Sequence, residues 1–476
     1  MLLKHSAIYS ASLLINGLIG FLAVAINTRI LGVESYGYYA LAFSTAMFAS
    51  TFLFEWVRLS LMRFSETDGG PRLLSASLSI YVVGGAIILF VTMGLYFTSF
   101  DYHFPAFGWM AVGLFAVCVG FAELFMGLAR ASLRPSLFAI MQLTRGTLAL
   151  LLGSAAAWAG YGFVGLILGM AIANVLSVIL GFIRYPVWQS LRPCWPDKES
   201  FTTLSNFGFP IIMTIIAVQI LQVLDRFVIS YFHGPAAVGA YAAAGDVTQK
   251  LIFMLAAGIN LASYNLAVQA FEKNGRTAAE QRLSSTLTVL LTLIVPVAVG
   301  IALVAKPLGQ LMFGAEVAKS AAILMPLLSL AALLQVIRSC FIEQPYHILK
   351  MTRDMLLPFA IAASVALIVW FLLVPAHGAF GTACGLVLAH IVGSFLSMCG
   401  MKGKFTYIVE WKNILKIGMA TLFMATIVGL LPWPEDNMGV LFIRIVAGAS
   451  TYAAVALSVN LLDSRTIVMR KLSAPK

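Results

Sequence analysis

The chain has 476 residues, of which 61% are apolar and 10% are charged. A water-soluble domain of this size needs far more polar surface, so the composition excludes a soluble globular protein and requires a lipid solvent. The formal net charge of +11 would suit a nucleic-acid-binding protein, but the basic residues lie mainly between apolar runs, which indicates membrane topology instead.

Apolar runs of membrane-spanning length follow one another along the whole chain. A hydrocarbon core of about 30 Å takes roughly 20 helical residues. Runs of this length satisfy their backbone groups as helices, whereas barrel strands are only ~10 residues long and alternate in polarity. The runs, numbered in chain order, are 8–28, 36–54, 73–97, 104–122, 135–158, 161–183, 207–232, 236–271, 283–305, 320–342, 355–376, 378–401, 413–434 and 438–462. The sequence therefore predicts an all-α polytopic membrane protein with fourteen transmembrane helices.

Most of the thirty lysines and arginines fall in one set of connecting segments if the N-terminus is cytoplasmic. The opposite segments then carry only Arg29, Lys306 and Lys319. This bias predicts that both termini are cytoplasmic. Polar residues in the first run, such as Asn16 and Asn27, and the lack of a small-residue cleavage pattern favour a retained helix over a signal peptide.

An internal repeat divides the chain. The residues Gly32, Gly37, Tyr39, Ala40 and Ala42 recur at one constant spacing as Gly234, Gly239, Tyr241, Ala242 and Ala244. Chance matching in a Gly- and Ala-rich chain is the alternative to duplication. Because both blocks open equivalent helices, the pattern predicts two pseudo-symmetric six-helix lobes, residues 1–200 and 201–401, followed by helices 13 and 14 and a cytoplasmic tail in 402–476.

No segment between the runs is long enough to fold as a soluble catalytic domain. The sequence contains no nucleophile elbow, phosphate-binding loop or paired metal ligands, and its five cysteines have no metal-type spacing. These features predict a protein that is not an enzyme and holds no metal or cofactor.

Ionisable and amide side chains at membrane depth are the candidate functional residues, because a charge at the bilayer centre costs roughly 2.5–3.5 kcal/mol on insertion scales. The spacing of Gln219, Gln222 and Arg226 gives predicted helix 7 one polar stripe, which suits either a cavity or a contact between helices. Arginines without an acid one helical turn away suit an anion, although snorkelling is the alternative for Arg29 and Arg338. The candidate substrate-cavity residues are Arg29, Gln142, Arg145, Gln219, Gln222, Arg226, Asn260, Gln335 and Arg338.

Acidic residues at membrane depth divide into two groups. Glu55 with Arg58, and Asp246 with Lys250, stand at i,i+3 and i,i+4, so each pair can neutralise itself on one helix face. Candidate ion-coupling residues are Glu123, Asp225 and Asp246. Structural pairing is the alternative role for all three.

Three blocks resemble the polysaccharide flippases of the multidrug/oligosaccharidyl-lipid/polysaccharide exporter superfamily, particularly the bacterial O-antigen and exopolysaccharide repeat-unit flippases. They are TRILGVESYGYYALA at 28–42, RASLRPSLFAIMQLTRG at 130–146 and FGFPIIMTIIAVQILQVLDRFVISYFHGPAAVGAYAAA at 207–244. The resemblance spans nearly the whole chain. It departs from the usual pattern at Val33, where a proline is common.

The resemblance implies translocation of an undecaprenyl-diphosphate-linked oligosaccharide across the bacterial inner membrane by alternating access. It implies membrane lipid and polysaccharide polymerase or assembly proteins as partners, and no nucleic acid. Cationic arginines and polar amides suit a sugar diphosphate. The alternatives are a lipid-linked peptidoglycan precursor flippase, a drug or organic-cation antiporter of the same superfamily, and a scaffold in polysaccharide assembly.

Overall fold

The computed structural model describes residues 2–64, 70–98, 104–185, 194–313, 315–430 and 438–463. Within these ranges the chain is helical and contains no β-strand. The α-helices are α1 (Leu2–Ser50), α2 (Trp56–Phe64), α3 (Gly70–Phe97), α4 (Ala106–Ala131), α5 (Pro135–Ala156), α6 (Gly162–Arg184), α7 (Lys198–Leu303), α8 (Ala305–Phe313), α9 (Ala315–Ile337), α10 (Gln344–Ile348), α11 (Leu356–Gly400), α12 (Trp411–Leu430) and α13 (Met438–Ser458). Three π-helical segments, Thr51–Glu55, Ala157–Tyr161 and Arg338–Ile342, join neighbouring helices.

Nine helical stretches in the described ranges are long and apolar enough to span a membrane. One of them, Val218–Leu303, has 86 residues and would reach about 130 Å as a straight helix, several times the hydrocarbon thickness. Gly234 and Gly275, with φ of 76° and 78°, break the helical course within it, so it contains more than one crossing. The predicted all-α membrane fold is confirmed, and the count of fourteen helices stays a prediction.

The chain forms two compact units. Unit 1 comprises Met1–Ala242 and Trp370–Ala379, and unit 2 comprises Ala243–Val369 and Phe380–Lys476. All three boundaries fall inside long helices, one in α7 and two in α11. The lobe boundaries predicted from the repeat stay a prediction.

The repeat-related glycines of unit 1 cross each other at very short range. A Cβ at Gly37 would lie 2.7 Å from the Pro235 carbonyl carbon and 3.1 Å from the Gly239 nitrogen. A Cβ at Gly239 would lie 2.9 Å from the Val33 carbonyl carbon and 3.0 Å from the Gly37 nitrogen. The contact is therefore reciprocal, and it requires glycine on both sides because a methyl group would clash with backbone.

A carboxylate lies at the start of α7. Asp197 immediately precedes α7, and its carboxylate lies 3.1 Å from Arg72. Hydrogen bonding by Ser200, assisted by the Arg72 charge, lowers the pKa of Asp197. An ionised side chain at this place also complements the positive end of the helix dipole.

Unit 2 is held by polar side chains that bond to backbone of neighbouring helices. The Tyr346 hydroxyl donates to the Ser397 carbonyl at 2.7 Å, and the Tyr452 hydroxyl donates to the Thr292 carbonyl at 2.8 Å. Such bonds keep a phenol satisfied where no water is present.

Candidate functional site

A cavity of about 270 Å³ lies within unit 1, beside the π-helical segment that joins α1 to α2. Its walls come from that segment and from α1 to α4 and α7, with both charged and apolar side chains. The lining residues are Met47, Ser50, Thr51, Phe54, Glu55, Arg58, Tyr81, Val119, Gly120, Glu123, Ile215 and Gln219. The volume lies just below the range of about 300–1,000 Å³ that is usual for small-molecule sites.

Aromatic packing sets the position of the π-helical segment. Phe54 is 2% exposed and stacks on Tyr81 with ring centroids 4.5 Å apart. Gly84 and Gly120 leave the space that the Phe54 ring occupies, because a Cβ at either residue would meet that ring. The Tyr81 hydroxyl donates to the Phe54 carbonyl at 3.1 Å, which supplies a partner to backbone at the irregular turn.

Two ion pairs border the cavity. Arg58 donates from both Nε and Nη2 to the Glu55 carboxylate, with Nε at 2.8 Å from Oε2. Arg145 Nη1 donates to Glu123 Oε1 at 2.7 Å. The predicted i,i+3 pairing of Glu55 with Arg58 is therefore confirmed.

Arg145 has an acidic partner, although no acid lies one helical turn away along its own helix. Glu123 lies on α4 and Arg145 on α5, so their contact does not follow from helical spacing within one element. Arg145 Nη2 also reaches Gln142 Oε1 at 3.5 Å. A charge in a low-dielectric interior is stabilised by an opposite charge from any neighbouring helix, which explains the pairing.

The predicted polar stripe of helix 7 has members in three environments. Gln219 lines the cavity and lies 3.4 Å from the Thr51 hydroxyl, whereas Gln222 is exposed. Arg226 Nη1 donates to the Ser44 hydroxyl at 3.1 Å and to the Ala40 carbonyl at 3.3 Å. Arg226 therefore makes a contact between helices, which was the alternative role for the stripe.

Asp225 is buried, with 5% exposure, and its carboxylate is held by two donors. The Tyr241 hydroxyl donates to it at 2.8 Å and the Arg226 backbone N–H at 2.7 Å. Arg29 is exposed and lies three residues before Gly32, where φ is 71° and α1 kinks. Neither Asp225 nor Arg29 lines the cavity described above.

The predicted residues of unit 2 include a buried ion pair. Arg338 is 2% exposed, and its Nε donates to Glu343 Oε1 at 2.7 Å. Arg338 therefore has an acidic partner, although no acid lies three or four residues away along the chain. Arg338 opens a π-helical segment, in which the Glu343 N–H bonds to the Arg338 carbonyl, so residues five apart come together instead of three or four.

The Arg338 guanidinium is enclosed by apolar groups. It lies 4.0 Å from the centroid of the Phe359 ring, and Gly393 leaves the space for its Nη1 atom. Nη1 and Nη2 have no hydrogen-bond partner among the described residues. Elsewhere in unit 2, Asn260 accepts a hydrogen bond from Gln344 at 3.1 Å, and Gln335 and Asp246 are half-buried.

Unit 1 thus brings together Glu123, Gln142, Arg145 and Gln219 from the predicted set, close to a cavity. Sequence reasoning gave Glu55 and Arg58 a structural role and did not place them in the site. The π-helical segment that turns them toward the cavity has no signature in the apolar pattern. No group of three or more His, Cys, Asp or Glu side chains suited to a metal ion occurs in the described ranges.

Comparisons with known proteins agree with this architecture. A family profile described as polysaccharide biosynthesis protein matches residues 2–264, and a second profile, MatE, matches residues 210–376. No curated protein sequence matches the chain.

Solved structures of transporters share the fold. The lipid II flippase MurJ, in an inward closed conformation, is 16% identical with a TM-score of 0.76, over 97% of this chain and 99% of that chain. A superfamily transporter from Pyrococcus furiosus is 14% identical with a TM-score of 0.62, over 84% and 95%. A MATE protein in complex with MaL6 is 14% identical with a TM-score of 0.60, over 84% and 96%.

Proposed function

The chain belongs to the polysaccharide biosynthesis protein family of the multidrug/oligosaccharidyl-lipid/polysaccharide exporter superfamily, and from this premise we propose that it flips undecaprenyl-diphosphate-linked oligosaccharide repeat units. Transport runs from the cytoplasmic to the periplasmic leaflet of a bacterial inner membrane, for surface polysaccharide synthesis. The chain acts as a transporter and not as an enzyme, and its repeats, residues 1–200 and 201–401, rock in alternating access.

The observation that carries the proposal is the pair of arginines beside the cavity of unit 1. Arg58 lines the cavity, and Arg145 stands directly behind the lining residue Glu123. A guanidinium remains charged at every relevant pH and its fork matches phosphate oxygens. An anionic headgroup that has to leave water therefore finds fixed cations at membrane depth.

Amide groups supply the contacts for the sugar part of the substrate. In unit 1, Gln142 contacts Arg145, and Gln219 lines the cavity. Asn260 and Gln335 are the amide residues that we assign to the transport path in unit 2. Arg29, Gln222, Arg226 and Arg338 complete the set of residues that we assign to the transport path. Glu123, Asp225 and Asp246 are the proposed sites of coupling to an ion gradient.

Two other classes of substrate are the alternatives. The fold is shared with a lipid II flippase and with MATE proteins, so a peptidoglycan precursor and an organic cation are the alternatives. The precursor carries the same diphosphate and suits the same arginines. Glu55 and Glu123 are both paired with arginines, so a cation and an anion would each have to displace one member of an ion pair.

Deletion of the gene in its host, with complementation by variants, tests the proposal. Wild type is expected to restore surface polysaccharide, whereas Arg145→Ala leaves lipid-linked repeat units on the cytoplasmic leaflet. Arg72→Ala is the matched control, because this arginine also pairs with an acid but is exposed and lies outside the cavity.

Normal surface polysaccharide in the deletion strain would overturn the proposed substrate. An accompanying cell-wall defect would then favour the peptidoglycan precursor, and altered drug tolerance would favour an organic cation. Full rescue by Arg145→Ala would remove that residue from the transport path.

A further inference from the structure

Carboxylates are bound to both arginines beside the cavity of unit 1. In the first pair the side chain of Glu55 is 20% exposed and that of Arg58 is 13% exposed. In the second pair Glu123 is 32% exposed and Arg145 is 20% exposed, and only Glu123 lines the cavity. An anion that enters the cavity therefore finds Arg58 already paired with Glu55, and Arg145 already paired with Glu123.

The guanidinium groups of both arginines already hold carboxylates. Glu55 takes both Nε and Nη2 of Arg58, and Arg145 is shared between Glu123 and Gln142. A diphosphate that takes the place of a carboxylate on these guanidinium groups has to displace that carboxylate.

Displacement changes the charge of the site. The two ion pairs are each neutral, so a diphosphate diester that joins them adds two negative charges to a half-buried network. Among the described residues, Arg130 and Tyr81 also interact electrostatically with these acids, and of these two Arg130 adds positive charge. A carboxylate that has lost its cation in a low-dielectric site is stabilised by binding a proton.

We propose that the diphosphate of the substrate exchanges places with Glu55 and Glu123 on Arg58 and Arg145, and that each displaced carboxylate takes up one proton from water. Each carboxylate plus one proton becomes a neutral carboxylic acid, and no other reactant is needed. The proposal rests on the proposed function, because it requires a diphosphate in this cavity. It makes Glu55, beside Glu123, a coupling residue, and it makes anion binding and proton uptake one linked event.

A linkage of this kind has a measurable signature. Affinity for the anion falls as pH rises, by about tenfold per pH unit for each proton that binding takes up. The probe is a short-chain isoprenyl diphosphate esterified to N-acetylglucosamine, a diester whose own charge is constant between about pH 5.5 and 8.5. Binding to the purified full-length protein in nanodiscs is measured by calorimetry across this range, in two buffers of different ionisation enthalpy that report the protons taken up.

Wild type is expected to lose affinity with rising pH and to bind up to two protons with the probe. Glu55→Gln and Glu123→Gln are each expected to bind one proton fewer with the probe. The affinity of each variant should therefore depend less steeply on pH. The double variant is expected to bind with an affinity that is independent of pH and is about tenfold or more tighter at the alkaline end. Glu34→Gln is the matched control, because Glu34 is exposed and outside the cavity, and it should retain the wild-type profile.

The outcomes separate the two proposals. Tight binding of the probe by wild type at constant affinity and with no proton uptake would overturn the exchange and leave the proposed function intact. A pH dependence of affinity that persists in the double variant would also overturn the exchange. No binding of the probe by wild type at any pH would contradict both the exchange and a diphosphate-linked substrate.

Discussion

At the scale of single residues, burial decides how much an ion pair matters to stability. Arg338 and Glu343 are both less than 10% exposed, so each would be left as an uncompensated buried charge if the other were removed. Breaking such a pair is strongly destabilising, whereas replacing both members by apolar groups is often neutral. The pair of Arg72 with Asp197 is exposed, and exposed ion pairs contribute little to the free energy of unfolding.

Glu343→Gln is expected to lower the free energy of unfolding by about 3–5 kcal/mol. The double variant Arg338→Met/Glu343→Leu should recover most of that loss, because it leaves no buried charge. Chemical denaturation of the purified protein in detergent micelles measures both values. Arg72→Ala is the control and should cost about 0–1 kcal/mol. A loss in Glu343→Gln no larger than that of this control would show that the pair does not stabilise unit 2.

At the scale of elements, glycines decide how closely helices approach. The crossing of Gly37 with Gly239 brings two backbones together without side chains between them, and both residues come from equivalent positions of the repeat. Close backbone approach at small residues is a general means of helix association in membranes. Gly94 on α3 differs from this pair, because nothing lies within 4 Å of the place that its Cβ would take.

Gly37→Ala and Gly239→Ala are each expected to destabilise the protein by about 1–3 kcal/mol, because the added methyl group is forced against a carbonyl. Gly94→Ala should be neutral or stabilising by up to about 1 kcal/mol, since alanine favours a helix more than glycine does. Thermal unfolding of the three variants in the same detergent compares them directly. Equal melting temperatures for all three would mean that the crossing opens freely and carries no packing energy.

At the scale of the whole molecule, the distribution of basic residues predicts the orientation of the protein in the membrane. Arginines and lysines are retained on the cytoplasmic side, and this predicts that Glu34 faces the periplasm and that Ser132 faces the cytoplasm. Both residues are exposed and belong to unit 1.

Labelling of intact cells with a membrane-impermeant maleimide checks the orientation. The five native cysteines are first replaced, and Glu34→Cys and Ser132→Cys are then introduced one at a time. Only Glu34→Cys is expected to react in intact cells, and both should react after the cells are lysed. Reaction of Ser132→Cys alone in intact cells would invert the predicted topology.

Sequence by itself determined that this protein lies in a membrane, that it is all-α and which family it belongs to. Long apolar runs and scarce charge are local properties of the sequence. In lipid a helix satisfies the backbone hydrogen-bonding groups within each run, so no tertiary information is needed. The Glu55 and Arg58 pair could be predicted for the same reason, because i,i+3 spacing within one helix brings the side chains together.

Only the tertiary structure decided which charges meet and which of them border a cavity. Arg145 finds Glu123 on another helix, and Arg338 finds Glu343 because a π-helical segment changes the local spacing. Partner choice at membrane depth depends on which helices are neighbours and on how each backbone turns, since an unpaired charge there accepts any opposite charge within reach. Those two properties are set by packing along the whole chain, and no window of sequence contains them.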